Sequence, residues 1–155
     1  MAARPAREVV AALEAALRSA GAIEPYFTEH RARFVHDLGV VGSLAADGPI
    51  LEMGTYPGYF AWCLRRSGYD ATGIDLDPAR TAGFDAAHGV RTVRCAVERE
   101  PLPVESGSCA VVVMSEVLEH LRVDPLHALT EAARVLRPGG ALLLQTPNAY
   151  SAGNI

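Results

Sequence analysis

The chain has 155 residues, half of them apolar, with 14 basic and 18 acidic side chains and a formal net charge of −4. That length suits one domain able to bury about two-thirds of its unfolded surface, and the acidic balance excludes a nucleic-acid binder driven by phosphate contacts. Every basic residue is an arginine, which excludes Schiff-base chemistry on a lysine.

Cys63, Cys95 and Cys109 are too few and too widely spaced for a disulfide framework or a zinc pattern. A reduced, cytoplasmic setting is therefore expected. The first residues are positively charged, but the stretch after them is amphipathic and interrupted by Glu8, Glu14 and Arg18. It reads neither as a secretory signal nor as a membrane span.

Residues 9–17 have helical periodicity, ended by Gly21. A second helix is predicted from about Glu24-Pro25, with Phe27, Phe34, Leu38 and Val41 on one side. Asp47-Gly48-Pro49 then breaks the chain. Residues 1–46 are accordingly expected to form a helical segment, and residues 47–155 the core. From Ile50 onward short apolar runs (50–53, 71–74, 90–94, 109–114, 141–145) alternate with helical stretches (57–67, 78–88, 116–136). The last stretch is expected to be interrupted at Asp124-Pro125, and residues 98–108 form a loop where a helix would otherwise stand. Strands alternating with helices imply βαβ units and a parallel sheet.

The first run leads into Glu52-Met53-Gly54-Thr55-Tyr56-Pro57-Gly58, a tight glycine-bearing turn before a helix start. Glycine permits positive φ and close approach of a ligand to the backbone. A helix start offers unpaired N–H groups to a carboxylate or phosphate. The same pattern also serves a purely structural turn. The second run ends at Gly73-Ile74-Asp75-Leu76-Asp77-Pro78. Asp75 stands where a carboxylate accepts hydrogen bonds from ribose hydroxyls in nucleoside-binding folds, whereas Asp77 is placed to cap the helix entered at Pro78.

With these segments in order, the chain resembles the class I S-adenosylmethionine (SAM)-dependent methyltransferases, in particular their broad small-molecule group of types 11 and 12. The resemblance runs over about residues 50–148. It is carried by Glu-x-Gly-x-x-x-Gly, by Gly-Ile-Asp-Leu-Asp-Pro, by Ser-Glu-Val-Leu-Glu-His-Leu at 115–121, and by Val-Leu-Arg-Pro-Gly-Gly followed by Gln-Thr-Pro-Asn at 135–148. It implies a three-layer α/β Rossmann-like fold, with five parallel strands in the order 3-2-1-4-5 and helices preceding them. It implies SAM as cofactor, held by Glu52, Gly54, Thr55, Tyr56, Gly58, Asp75, Leu76, Ala96, Val97 and Ser115. The reaction it implies is methyl transfer to a small molecule, with a hydroxyl the favoured acceptor.

Three positions depart from the family pattern. Tyr56 replaces the usual middle glycine of the first turn, and its ring must either point away from the ligand or narrow the methionine end of the pocket. Ala96 occupies the place of the acid that commonly receives the adenine amino group, with Glu98 a substitute two residues on. Cys109-Ala110 replaces the usual Phe-Asp before the fourth strand. A nicotinamide enzyme is the competing reading of this fold class, disfavoured because Tyr56 obstructs close approach of a pyrophosphate.

Glu116, Glu119 and His120 follow the fourth run. On a helix, residues spaced i, i+3, i+4 share one face, here at the carboxyl end of a parallel strand, where open α/β sheets bind ligands. Such a trio can relay a proton, raise a histidine pKa or hold a divalent cation. In some relatives that the sequence resembles, a Glu-x-x-Glu-His turn binds metal with a further histidine downstream. No histidine follows His127 here, so no metal site is assigned. Methyl transfer depends chiefly on alignment and exclusion of water, and a base matters only for an acceptor that keeps a proton. His120 is the candidate base, oriented by Glu119 or Glu116. Pro138–Gly140 reads as the turn from helix to fifth strand, Arg137 as helix-end charge, and Asn148 as a residue at the pocket mouth. Tyr26 and His30 are candidate lid residues, with Phe34 packed on the sheet.

The resembling family has seven strands, the last two in a hairpin, whereas five are legible here. The core is therefore expected to be C-terminally incomplete, leaving the fifth strand as an open edge for a protein partner or a second copy. The alternative to an enzyme is a non-catalytic methyltransferase-like subunit that works through such a partner. No nucleic-acid or membrane partner is expected.

Overall fold

The computed structural model describes residues 4–21, 25–44 and 47–148. Glu24, the expected division after residue 46 and the tail 149–155 lie outside the described residues. Five parallel strands form one sheet in the order β3-β2-β1-β4-β5: β1 Ile50–Met53, β2 Ala71–Asp75, β3 Thr92–Arg94, β4 Cys109–Ser115 and β5 Leu136–Gln145. Five helices accompany them: α1 Ala6–Ser19, α2 Pro25–Leu44, α3 Tyr59–Arg66, α4 Ala82–His88 and α5 Pro125–Val135.

Strand periodicity produces the three layers. Side chains alternate across a sheet, so Ile50, Val111 and Val113 join Val10, Leu13, Phe27 and Phe34 of α1 and α2 in one apolar core. Leu51, Met53, Val112 and Met114 join Ala128, Ala132 and Val135 of α5 in the other. Both central strands, β1 and β4, are buried on their two faces, as expected for parallel strands covered by helices. The expected loop 98–108 is tied down on the α5 side. The Glu131 carboxylate accepts from Leu102 N–H at 2.7 Å, and Arg134 donates to the carbonyls of Leu102 and Val104. With Arg134 beside it, the Glu131 carboxyl is held below its ordinary pKa.

Two expectations about local structure are corrected. The stretch 116–136 is not one interrupted helix. Glu116 has φ 57°, Leu118–His120 make a single 3-10 turn, and α5 starts only at Pro125, where the Asp124 carboxylate caps His127 N–H at 2.9 Å. Nor is Pro138–Gly140 a turn ahead of the fifth strand. It lies within β5, whose pairing to β4 shifts register between Cys109 and Val111. Two steps along β4 face five along β5, so three extra residues are accommodated as an irregular bulge, and proline is tolerated because β5 is an edge strand. Arg137 is correspondingly not helix-end charge, for its guanidinium donates to the Asp47 carbonyl.

Candidate functional site

The first turn closes at the carboxyl ends of β1 and β2. Gly54 and Thr55 donate their N–H groups to the Ile74 carbonyl at 2.8 and 3.2 Å. The two turn positions in the left-handed region are Gly54 (φ 79°) and Gly58 (φ 95°), where glycine avoids a steric penalty. At Gly54 a Cβ would also lie 2.3 Å from a Val117 methyl. Tyr56 is not among the positive-φ residues, so the turn forms with a side chain at the family's middle-glycine position. Thr55 is buried and turns its hydroxyl onto the Glu52 and Ile74 carbonyls at 3.4 and 3.3 Å.

Asp75 ends β2 almost fully buried. One carboxylate oxygen accepts from Tyr56 N–H at 3.1 Å and the other from Asp77 N–H at 3.0 Å. It thus fastens the loop after β1 to the loop after β2. The expected cap is present, with Asp77 accepting from Ala79 N–H at 3.2 Å. The helix expected there is a 3-10 turn, Pro78–Arg80, followed by α4.

Around these loops lies a cavity of about 940 Å³, lined by Gly54, Tyr56, Asp75, Leu76, Ala96 and Val97 on the sheet side. Tyr26 and His30 line it from α2, and Glu116 and His120 from the loop after β4. A second, small pocket adjoins it across Tyr26, Gly54 and Tyr56, and is lined by Arg33, Asp37, Glu52, Thr55 and Ser115. Of the expected cofactor residues, Gly54, Tyr56, Asp75, Leu76, Ala96 and Val97 line the large cavity, Glu52, Thr55 and Ser115 only the adjoining small pocket, and Gly58 neither, for it caps the start of α3. Leu76 is 65 % exposed at the rim, an apolar surface turned toward the cavity. Glu98 lines the cavity, but one of its oxygens is committed to Val123 and Asp124 N–H at 2.6 and 3.1 Å. Ala96 N–H is taken by Glu100 at 2.7 Å.

The acidic-histidine trio does not share a helix face. Glu116 pairs with Arg33, oxygen to nitrogen 3.3 Å. His120 is exposed, and its Nε2 lies 3.9 Å from Glu119, too far for the orienting hydrogen bond expected of that pair. Glu116 and His120 face the large cavity, whereas Glu119 is not among its lining residues. Phe34 packs in the core against Phe60, with ring centroids 6.1 Å apart. Tyr26 and His30 meet edge to face at 4.4 Å.

Sequence reasoning passed over Arg33, Asp37 and Gln145. Arg33 is half-buried in the small pocket wall; its Nε lacks a hydrogen-bond partner among the described residues, and its Nη1 is the atom that meets Glu116 as an ion pair at 3.3 Å. Its remaining nitrogen donates to the Tyr26 hydroxyl at 3.0 Å. Burial raises the Tyr26 pKa, against the opposing charge of Arg33. Burial lowers the His30 pKa, Arg33 adding to the effect and Glu116 opposing it. A signal for this group did exist: Tyr26, His30, Arg33 and Asp37 fall at i, i+4, i+7 and i+11, one polar stripe on α2.

A parallel sheet with a glycine turn after β1 and a buried acid ending β2 defines a nucleoside-binding α/β protein. The comparisons narrow the class. A methyltransferase-domain family model matches residues 26–154, and the chain belongs to that family, whose cofactor is SAM. It is 37% identical over 99 residues to a protein of Mycolicibacterium smegmatis named as a probable SAM-dependent methyltransferase, covering 64% of this chain and 38% of that one. It is 33% identical over 108 residues to a ubiquinone biosynthesis O-methyltransferase of Xanthomonas oryzae, covering 66% and 44%. The fold matches the CcbJ methyltransferase of Streptomyces caelestis with a TM-score of 0.59 at 24% identity, over 68% of this chain and 48% of that one. The chain spans about two-fifths of the length of the two curated relatives.

Proposed function

We propose that this chain binds SAM across the Gly54–Gly58 turn and directs methyl transfer to a hydroxyl of a small molecule admitted beneath α2. The observation that carries the reading is a half-buried Arg33, its Nε without a hydrogen-bond partner among the described residues, at one end of the turn and the buried Asp75 carboxylate at the other. A zwitterionic amino acid joined to a nucleoside needs those two groups. Asp75 accepts from the ribose, Leu76, Ala96 and Val97 supply an apolar wall for the base, and Arg33 receives the carboxylate in a charge-assisted pair. Gly54 leaves the backbone open to close approach, and Glu52 and Ser115 complete the polar wall of the methionine end.

When bound there, SAM supplies an electrophilic methyl on a sulfonium. The chain's own contribution is to hold the acceptor in line and keep water out, for which Tyr26 and His30 on α2 form a lid. His120 at the rim takes the acceptor proton, and Glu116 holds Arg33 in place. A hydroxyl acceptor accords with the named activity of the O-methyltransferase relative. The outer edge of β5, with Leu144 38 % exposed, is where a protein partner or second copy would add.

Titration calorimetry of the chain with SAM is the test. Saturable one-site binding is expected, and its absence would favour the non-catalytic subunit.

A further inference from the structure

Tyr56 and Arg80 stand on the two loops that Asp75 fastens together. Tyr56 follows β1 and lines both the large cavity and the small pocket. Arg80 ends the 3-10 turn after β2, lines the large cavity, and belongs to none of the ion pairs found among the described side chains. Its guanidinium carbon lies 3.8 Å from the centroid of the Tyr56 ring. The loops are therefore joined twice: at the backbone, where Asp75 accepts from Tyr56 N–H and Asp77 N–H, and at the surface, through the stacked side chains.

These links differ in permanence. The Asp75 carboxylate is 8 % exposed and its two bonds are charge-assisted. The Tyr56 ring is 42 % exposed, and a solvated cation–π contact is weak enough to break and re-form readily. Nothing in the turn's backbone demands or forbids the ring, because its left-handed positions are Gly54 and Gly58.

We infer that the Tyr56–Arg80 stack is a movable strap across the junction of the two cavities, and that it sets the rate at which cofactor and product exchange. This rests on the cofactor reading above and extends it. A ligand spanning both cavities must pass or displace the ring to enter or leave. A strap that is mostly closed slows association and dissociation together, because only the open fraction is competent for either. Tyr56 and Arg80 are thus positioning residues governing retention of the nucleoside, with no part in chemistry.

The test is surface plasmon resonance of S-adenosylhomocysteine on the immobilised full chain, which needs no knowledge of the acceptor. Tyr56→Gly is expected to raise both rate constants by about an order of magnitude, with the affinity changed far less. Arg80→Met should raise both by about two- to fivefold, the span of an exposed cation–π contact. Tyr56→Phe should keep the parent rates. Thermal melting checks that each variant is folded, with Arg80→Lys as a milder version. Unchanged rates in folded Tyr56→Gly and Arg80→Met would overturn the strap while leaving the cofactor reading standing. So would faster dissociation with unchanged association, which marks the ring as an ordinary contact wall. Binding by Tyr56→Gly alone would support a strap that closes the parent site, and binding by neither chain would overturn both readings.

Discussion

The side-chain amide of Gln145 donates to the buried carboxylate of Asp37 at 2.7 Å, joining the last residue of β5 to the middle of α2. The amide oxygen accepts from the Ser115 hydroxyl at 3.3 Å, so one glutamine connects α2, β4 and β5 beside the small pocket. Asp37 is 1 % exposed, and His36 Nδ1 also lies within hydrogen-bond reach of it, at 3.0 Å. Removing Gln145 leaves a buried anion short of a donor, which costs about 1–3 kcal/mol. Gln145→Leu is expected to lower the urea midpoint accordingly, and Gln145→Glu to lower it further by placing a second carboxylate against the first. If Gln145→Leu unfolds at the parent midpoint, the bond does not anchor α2.

Glu116 has φ 57°, in a region that favours glycine. Its N–H donates to the Gln145 carbonyl at 3.0 Å and its carboxylate meets Arg33, so contacts from β5 and α2 hold the conformation. Such strain at the end of a strand is characteristic of ligand sites. Glu116→Ala and Glu116→Gly both lose the ion pair, but only glycine relieves the backbone. Glu116→Gly is expected to be the more stable of the two by about 1–2 kcal/mol, the penalty an L-residue meets there. Equilibrium denaturation of the pair gives the answer, and the reverse order would mean that the backbone relaxes when the carboxylate is removed.

Arg33 and Asp75 should be separable by ligand choice. Arg33→Met is expected to weaken SAM binding by about 1.5–3 kcal/mol, the scale of a hydrogen bond to a charged group. The same substitution should leave 5′-methylthioadenosine, which has no carboxylate, nearly unaffected. Asp75→Ala should weaken both ligands by a similar amount. Because Asp75 also fastens two loops, its variant must first be shown to be folded. Equal losses for both ligands in Arg33→Met would remove the arginine from the carboxylate end.

The parts of this molecule that could be read in advance are those written in local periodicity. Runs of Val, Ile and Leu, the Gly54–Gly58 turn and the acid at Asp75 led to the parallel sheet and to the cavity wall. The misreading of Glu116, Glu119 and His120 came from the same source, since their helical spacing was real but the helix was not. Glu116 is kept out of helix by the Gln145 carbonyl and by Arg33, partners distant in sequence. Pro138–Gly140 was misread for a similar reason. Gly140 lies where a Cβ would come within 3.1 Å of the Cys109 and Ala110 carbonyls, a close approach invisible until β5 is laid against β4. Arg33 was legible only in company: the polar stripe of α2 acquires meaning once the sheet shows that it faces the turn.

His30 offers a pH test with a sign that can be worked out. Burial holds its imidazole below its ordinary pKa of 6.5; Arg33 reinforces this, while Glu116 across the cavity and Glu29 on α2 oppose it. The unfolded chain therefore binds the proton more tightly than the folded one. By linkage, stability rises with pH wherever the unfolded state carries more protons. The contribution of His30 is thus fully present above about pH 6.5 and is lost as the pH falls below it. The carboxyls held low by arginines, Glu131 by Arg134 and Glu100 by Arg94, act in the same sense but at lower pH. Their contribution persists above the ordinary carboxylate range and disappears only as the pH drops through their depressed values. The carboxyl window opens on the acid side of the one that His30 opens. Urea midpoints measured from about pH 8 to about pH 5 should fall on the acid side of about 6.5, and His30→Gln should flatten that limb while leaving the steeper loss at lower pH. If the limb survives in His30→Gln, another group carries the proton and α2 does not hold His30 away from water.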